Sequence, residues 1–166
     1  QMDVHRDFPQ MAHDLMGFLH GGLEEPHPLA GIKAHSGANG TAPDVWLLGS
    51  SDYSARLAAA MGLPFSFADF FGSTGEHGPR VADIYRNTFQ PSEYLSEPRM
   101  NVALQVICAE TEEKARFIGA SRSLNKVISA LGLTTGRLLP PDEALEWPLD
   151  DQAKAYMDQS TKGYIE

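Results

Sequence analysis

A single cysteine, Cys108, stands in the 166-residue chain. It excludes an intrachain disulfide and fits a reducing compartment, so a cytoplasmic location is expected. Basic charge is also scarce. Lys and Arg number 13 against 22 Asp and Glu, for a net charge of −9. No Lys/Arg cluster interrupts that field, which repels polyphosphate backbones, so nucleic acid is not expected as a partner. Long hydrophobic runs are missing: none approaches the roughly 20 residues that span a bilayer, and no membrane partner is expected. The first residues carry Asp3, Arg6, Asp7 and Asp14 and read as an amphipathic segment, not a secretory leader. A metal-ligand pattern is missing as well. His5, His13 and His20 are too widely spaced to face one ion, and His27, His35 and His77 fall in loops without Glu or Cys at ligand spacing. No metal is expected.

What is present suits a globular domain with a real core: 42% hydrophobic and 21% charged residues. Pro9 to His20 reads as a helix with Met11, Leu15, Phe18 and Leu19 on its buried face and Gly21-Gly22 as its stop. Residues 21–43, rich in Gly and Pro, read as a loop. Val45 to Leu48 is apolar throughout, as a strand covered on both faces would be. A helix follows from Asp52 to Met61. Leu57 and Met61 form its larger contacts, and Ala55, Ala58 and Ala59 let its backbone lie close to a sheet. Gly62 suits the left-handed cap.

Pro64 to Ala68 gives a second strand, completing a crossover that should be right-handed. After a loop, a helix opens at Pro79 with Val81, Ile84 and Tyr85 on one face, and Pro91 to Leu95 reads as a single turn. Asn101 to Cys108 alternates as a third strand, which places Cys108 in apolar packing and not in nucleophilic use. Thr111 caps a helix with Glu112 and Glu113 in its first turn, running to about Leu131 and stopped by Gly132. Residues 132–149, with Pro140, Pro141 and Pro148, form an extended excursion before a last helix from Leu149 to Gln159. Strands alternating with helices define an α/β fold, without separating an open sheet from part of a barrel. Three strands leave two open edges.

Val45 to Gly62 carries the most chemistry. A strand stops at Gly49, passes Ser50 and Ser51, and becomes a helix, which brings hydroxyls, free backbone N–H groups and a positive helix end to one point. A phosphate site and an ordinary crossover turn both fit that pattern. Elsewhere the ordinary readings prevail. Trp46 is core, Arg56 is exposed and salt-bridged, and Asp69 is a solvated loop carboxylate. Glu110 serves the start of the next helix. His77 and Arg80 bracket Pro79 near a possible pocket rim without catalytic geometry. No proton-transfer pair can be named, and the catalytic residues are unknown.

Residues 45–51, Ser54-Ala55-Arg56-Leu57-Ala58 with Gly62-Leu63-Pro64-Phe65, Pro91-Ser92 with Leu95, and Val106 to Thr111 with Glu113-Lys114-Ala115 form an ordered set. In order and spacing it resembles the bacterial luciferase-like family, flavin-dependent monooxygenases built on a TIM barrel. The resemblance covers most of residues 8–131, and the later residues look like the family's helical excursion. It implies that residues 1–166 are a partial luciferase-like domain, an incomplete barrel segment covering about the fifth to seventh strands. It implies FMN or reduced FMN as cofactor, with oxygen and a small organic substrate. Ser50 and Tyr53 match positions that contact the FMN phosphate, with Gly49, Ser51 and Ser54 helping to wrap it. The missing strands imply a homodimer or a barrel-completing chain as partner, and an isolated segment without activity. The alternative is a non-catalytic flavin-binding or interaction module derived from the same fold.

Overall fold

The computed structural model describes residues 4–34, 40–70 and 77–161. The chain divides into two compact units, one of Gln1–Ala68 with His77–Ala103, the other of Asp69–Glu76 with Leu104–Glu166.

The first unit holds the sheet. Its elements are α1 (Val4–Leu19), β1 (Leu47–Gly49), α2 (Asp52–Ala60), β2 (Phe65–Ala68), α3 (Gly78–Thr88) and β3 (Met100–Ala103). The strands are parallel in the order β1-β2-β3, with Leu47 opposite Phe65 and Phe65 opposite Met100. Side chains alternate across a strand, so Leu47, Phe65 and Phe67 share one face. There they pack with Ala55, Ala58 and Ala59 of α2 and with Val81 and Tyr85 of α3. The three alanines are fully buried; their small size lets the α2 backbone approach the sheet. The opposite face carries Leu48, Ser66 and Asn101 in register. Leu48 is 58% exposed, so β1 is covered on one face only, contrary to the expectation from its unbroken apolar sequence.

The N-terminal ends of the strands are tied together by side chains. The Tyr85 ring is fully buried. Its hydroxyl accepts the Arg99 N–H at 3.1 Å and faces, as donor, the Leu63 carbonyl at 2.9 Å and the Arg99 carbonyl at 3.1 Å. Burial pushes the phenol's pKa above its ordinary value. Nearby, Ser92 Oγ donates to the Gly62 carbonyl at 2.8 Å and accepts the Tyr94 and Leu95 N–H groups. Gly62 has φ +61°, and a Cβ there would meet Ser92 Cβ at 2.4 Å and the Gln90 carbonyl at 2.7 Å. The Gly62…Pro91-Ser92…Leu95 spacing is thus a packing requirement. Residues 91–95 form this polar clasp and not the expected helical turn.

Other boundaries moved where a neighbour decides them. β1 begins at Leu47, whose N–H donates to the Pro64 carbonyl at 3.0 Å; Val45 and Trp46 are half-buried outside it. β3 ends at Ala103 because its partner β2 ends opposite it, at Ala68. Residues 104–108 are therefore no strand, and Cys108 is exposed instead of packed. α1 begins at Val4 and takes Pro9 into its interior. It turns Ala12 and Met16 inward and leaves Met11 and Leu15 half exposed, reversing the face expected for those two.

The second unit is helical: α4 (Glu112–Ala130), α5 (Pro141–Glu146) and α6 (Asp151–Thr161). Thr111 caps α4 as expected, its Oγ1 accepting the Lys114 N–H at 3.1 Å. Ala120, Leu124 and Ile128 of α4 pack with Leu139 and with Ala144 of α5. The 132–149 excursion contains the short helix α5; Pro141 sits in its first turn, where a missing N–H costs nothing. No described helix is long and apolar enough to cross a membrane.

Candidate functional site

The residues of the Gly49–Ser54 turn are brought together at the C-terminal end of β1, but they do not play one part. Gly49 closes the strand. A Cβ on it would lie 2.1 Å from Ser54 Oγ and 2.3 Å from Ser54 Cβ, so its absence makes room for Ser54. Ser51 is the N-cap of α2: extended at φ −131° and ψ 162°, its hydroxyl accepts the Ser54 N–H at 3.4 Å. Ser51 Oγ and Ser54 Oγ are themselves 3.2 Å apart. Two of the three serine hydroxyls are therefore engaged with each other and with the helix start.

Ser50 is different. It is half-buried between strand and cap, and its hydroxyl has no hydrogen-bond partner among the described residues. It stands beside the first turn of α2, whose leading N–H groups have no acceptor within the helix. A hydroxyl donor next to a positive helix end has the chemistry of an oxyanion holder, and a phosphate monoester is the ordinary ligand of that kind. Tyr53, in the same first turn, is 40% exposed.

One neighbour was not recognised as belonging to this turn. Asp52, also in the first turn of α2, is ion-paired with Arg80 in the first turn of α3. Sequence placed Arg80 beside Pro79 at a helix start but gave no sign of its partner. Arg56, expected to form a salt bridge, is exposed and pairs with no described residue. Asp69 is half-buried and Glu110 exposed. Among the described residues no group of His, Cys, Asp and Glu could hold a metal.

A cavity of about 280 Å³ also lies in the first unit, at the other ends of the strands. Met16, His20, Asp44, Tyr94 and Arg99 line it, and none of the Gly49–Ser54 residues does. The His20 and Tyr94 rings lie 4.7 Å apart at its wall.

Fold and turn together describe a parallel α/β protein with a hydroxyl-bearing turn at a strand's C-terminal end. Comparison with known proteins narrows the class. No protein-family profile matches the chain. A luciferase-like monooxygenase of Escherichia coli (strain K12) is 33% identical over 88% of this chain and 42% of its own length. The uncharacterized protein YceB of Bacillus subtilis (strain 168) is 35% identical over 96% of this chain and 47% of its own. The crystal structure of apo-MsnO8 matches with a TM-score of 0.70 at 28% identity, over 91% of this chain and 44% of that one. The chain is thus similar in sequence to a luciferase-like monooxygenase and in fold to MsnO8, and it spans less than half the length of the relatives it matches.

Proposed function

We propose that the chain is the phosphate-holding part of a flavin-dependent monooxygenase, cytoplasmic in location, that uses reduced FMN and oxygen on a small organic substrate. The observation that carries this reading is the partnerless Ser50 hydroxyl beside the α2 N-terminus, in a chain related to luciferase-like monooxygenases. The donor set fits the cofactor's phosphate: Ser50 donates directly, the leading N–H groups of α2 supply the helix field, and Ser51 and Ser54 fix the turn's shape. Tyr53 walls the turn. Reduced flavin, when bound, supplies the electrons that activate oxygen. The residues of this turn anchor one end of the cofactor and orient it, and they supply no wall for its ring.

In the same reading the three strands are about the fifth to seventh of an eight-stranded barrel. The edges of β1 and β3, unpaired among the described residues, and the open face bearing Leu48 favour it. The remaining strands, from the same polypeptide or a partner, complete the ring pocket. The open edges also support a second reading, a non-catalytic interaction module. Specific assembly without flavin uptake, seen by light scattering alongside flavin titration, would favour the module.

The direct test is Ser50→Ala. Losing a hydrogen bond to a charged ligand costs about 1.5–3 kcal/mol. FMN affinity, read from amide chemical shifts of residues 50–54 at fixed ionic strength, should fall while riboflavin affinity stays put and circular dichroism stays native. Unchanged FMN affinity would remove Ser50 from the site.

A further inference from the structure

We propose that Arg80 sets the phosphate preference of the α2 turn by neutralising Asp52, a positioning role that rests on reading Gly49–Ser54 as the phosphate end of a flavin site. Asp52 stands between Ser51 and Tyr53 in the first turn of α2. A carboxylate there favours the helix through its dipole. It also brings negative charge to the point a phosphate dianion must approach. Arg80 reaches across from α3 and pairs with that carboxylate.

The neighbouring charges leave this task to Arg80. α3 has no acidic residue in its own first turn, so nothing there competes for the guanidinium. Arg56 follows Asp52 at i+4 on α2 but pairs with no described residue, and Asp83 of α3 is exposed without a described partner. With the pair intact, the side chains at the turn's entrance are close to neutral. Without Arg80 they carry an unmatched negative charge. The Arg80 side chain is 70% exposed, so removing it leaves the core untouched. At low salt a like charge within a helical turn of a dianion weakens binding by about three- to tenfold.

The test uses the whole 166-residue chain, ¹⁵N-labelled, with the amides of residues 50–54 followed while FMN or riboflavin is added at fixed low ionic strength. Wild type should prefer FMN. Arg80→Gln should lose about three- to tenfold in FMN affinity with riboflavin unchanged, and Arg80→Lys should keep most of the preference. The double variant Asp52→Asn with Arg80→Gln should recover FMN affinity, which no loss of folding could do. An unchanged FMN affinity in Arg80→Gln would overturn the role. So would a loss that persists in the double variant, since Arg80 would then act other than through Asp52. A wild type that binds FMN no better than riboflavin would remove the phosphate-site reading itself, and this role with it.

Discussion

The two ends of the parallel strands are built on opposite terms. At the N-terminal ends, the Tyr85 hydroxyl and Ser92 Oγ are committed to backbone groups of residues 62, 63, 94, 95 and 99, and Gly62 leaves no space for a methyl group. At the C-terminal end of β1, Ser50 keeps a hydroxyl unspent, α2 presents its first N–H groups, and the nearest ion pair is a surface one. One end spends its polar side chains on its own backbone, although the cavity of about 280 Å³ lies beside it; at the other, the Ser50 hydroxyl has no hydrogen-bond partner among the described residues. In TIM barrels the strand C-termini carry function and the N-terminal face stability, and the proposed phosphate turn lies at the C-terminal end of β1.

The contrast is broken most severely at Gly62. Gly62→Ala adds a methyl group against Ser92 and the Gln90 carbonyl at a positive φ, and it should cost about 2–4 kcal/mol in urea unfolding. The α2 turn should keep its shape in whatever fraction remains folded. Tyr85→Phe comes next, at about 1–3 kcal/mol, because it strands the buried Leu63 carbonyl contact and the part-buried Arg99 N–H that the hydroxyl satisfied.

It has a companion signature at high pH. The Tyr85 pKa is raised in the folded state, so its contribution is intact below the unfolded value of about 10 and is lost as pH rises through the folded value. Tyr94 is shifted the same way, by burial and then by Glu93. Tyr85→Phe should therefore flatten part of the alkaline loss of stability measured by urea titration, without abolishing it. The smallest change lies at the other end. Ser51→Ala removes the α2 cap, for about 1 kcal/mol, and a stability loss of 3 kcal/mol or more there would erase the distinction between the two ends.

Much of this contrast was legible in the sequence, and the limits follow one line. Features decided within a few residues were readable: the Thr111 cap, the Gly62 stop, the alanine stripe of α2, and the strand–Gly–Ser–Ser–helix turn. Features decided by a neighbour were not. β3 stops where β2 stops, Leu48 faces no covering layer, and Met11 and Leu15 lie off the buried face of α1. At the turn, the family resemblance set Ser50 apart as a phosphate contact from Ser51 and Ser54, which help to wrap it. What the sequence did not show is that the Ser51 and Ser54 hydroxyls lie 3.2 Å from each other. The pairing of Arg80 with Asp52 was invisible for the same reason, since the two lie 28 residues apart.

The Tyr85 clasp has a consequence for how the chain acquires its sheet. β2 and β3 are four residues each, too short to hold together in water by their own ladder. The hydroxyl that joins Leu63 to Arg99 is delivered by α3, which lies between them in the chain. Docking of that helix and pairing of those strands are therefore one event, enclosed within residues 63–99. These contacts join elements that follow one another in the chain, and closure entropy grows only slowly with loop length, so β2, α3 and β3 are suited to pair early and to serve as the template on which β1 is laid down.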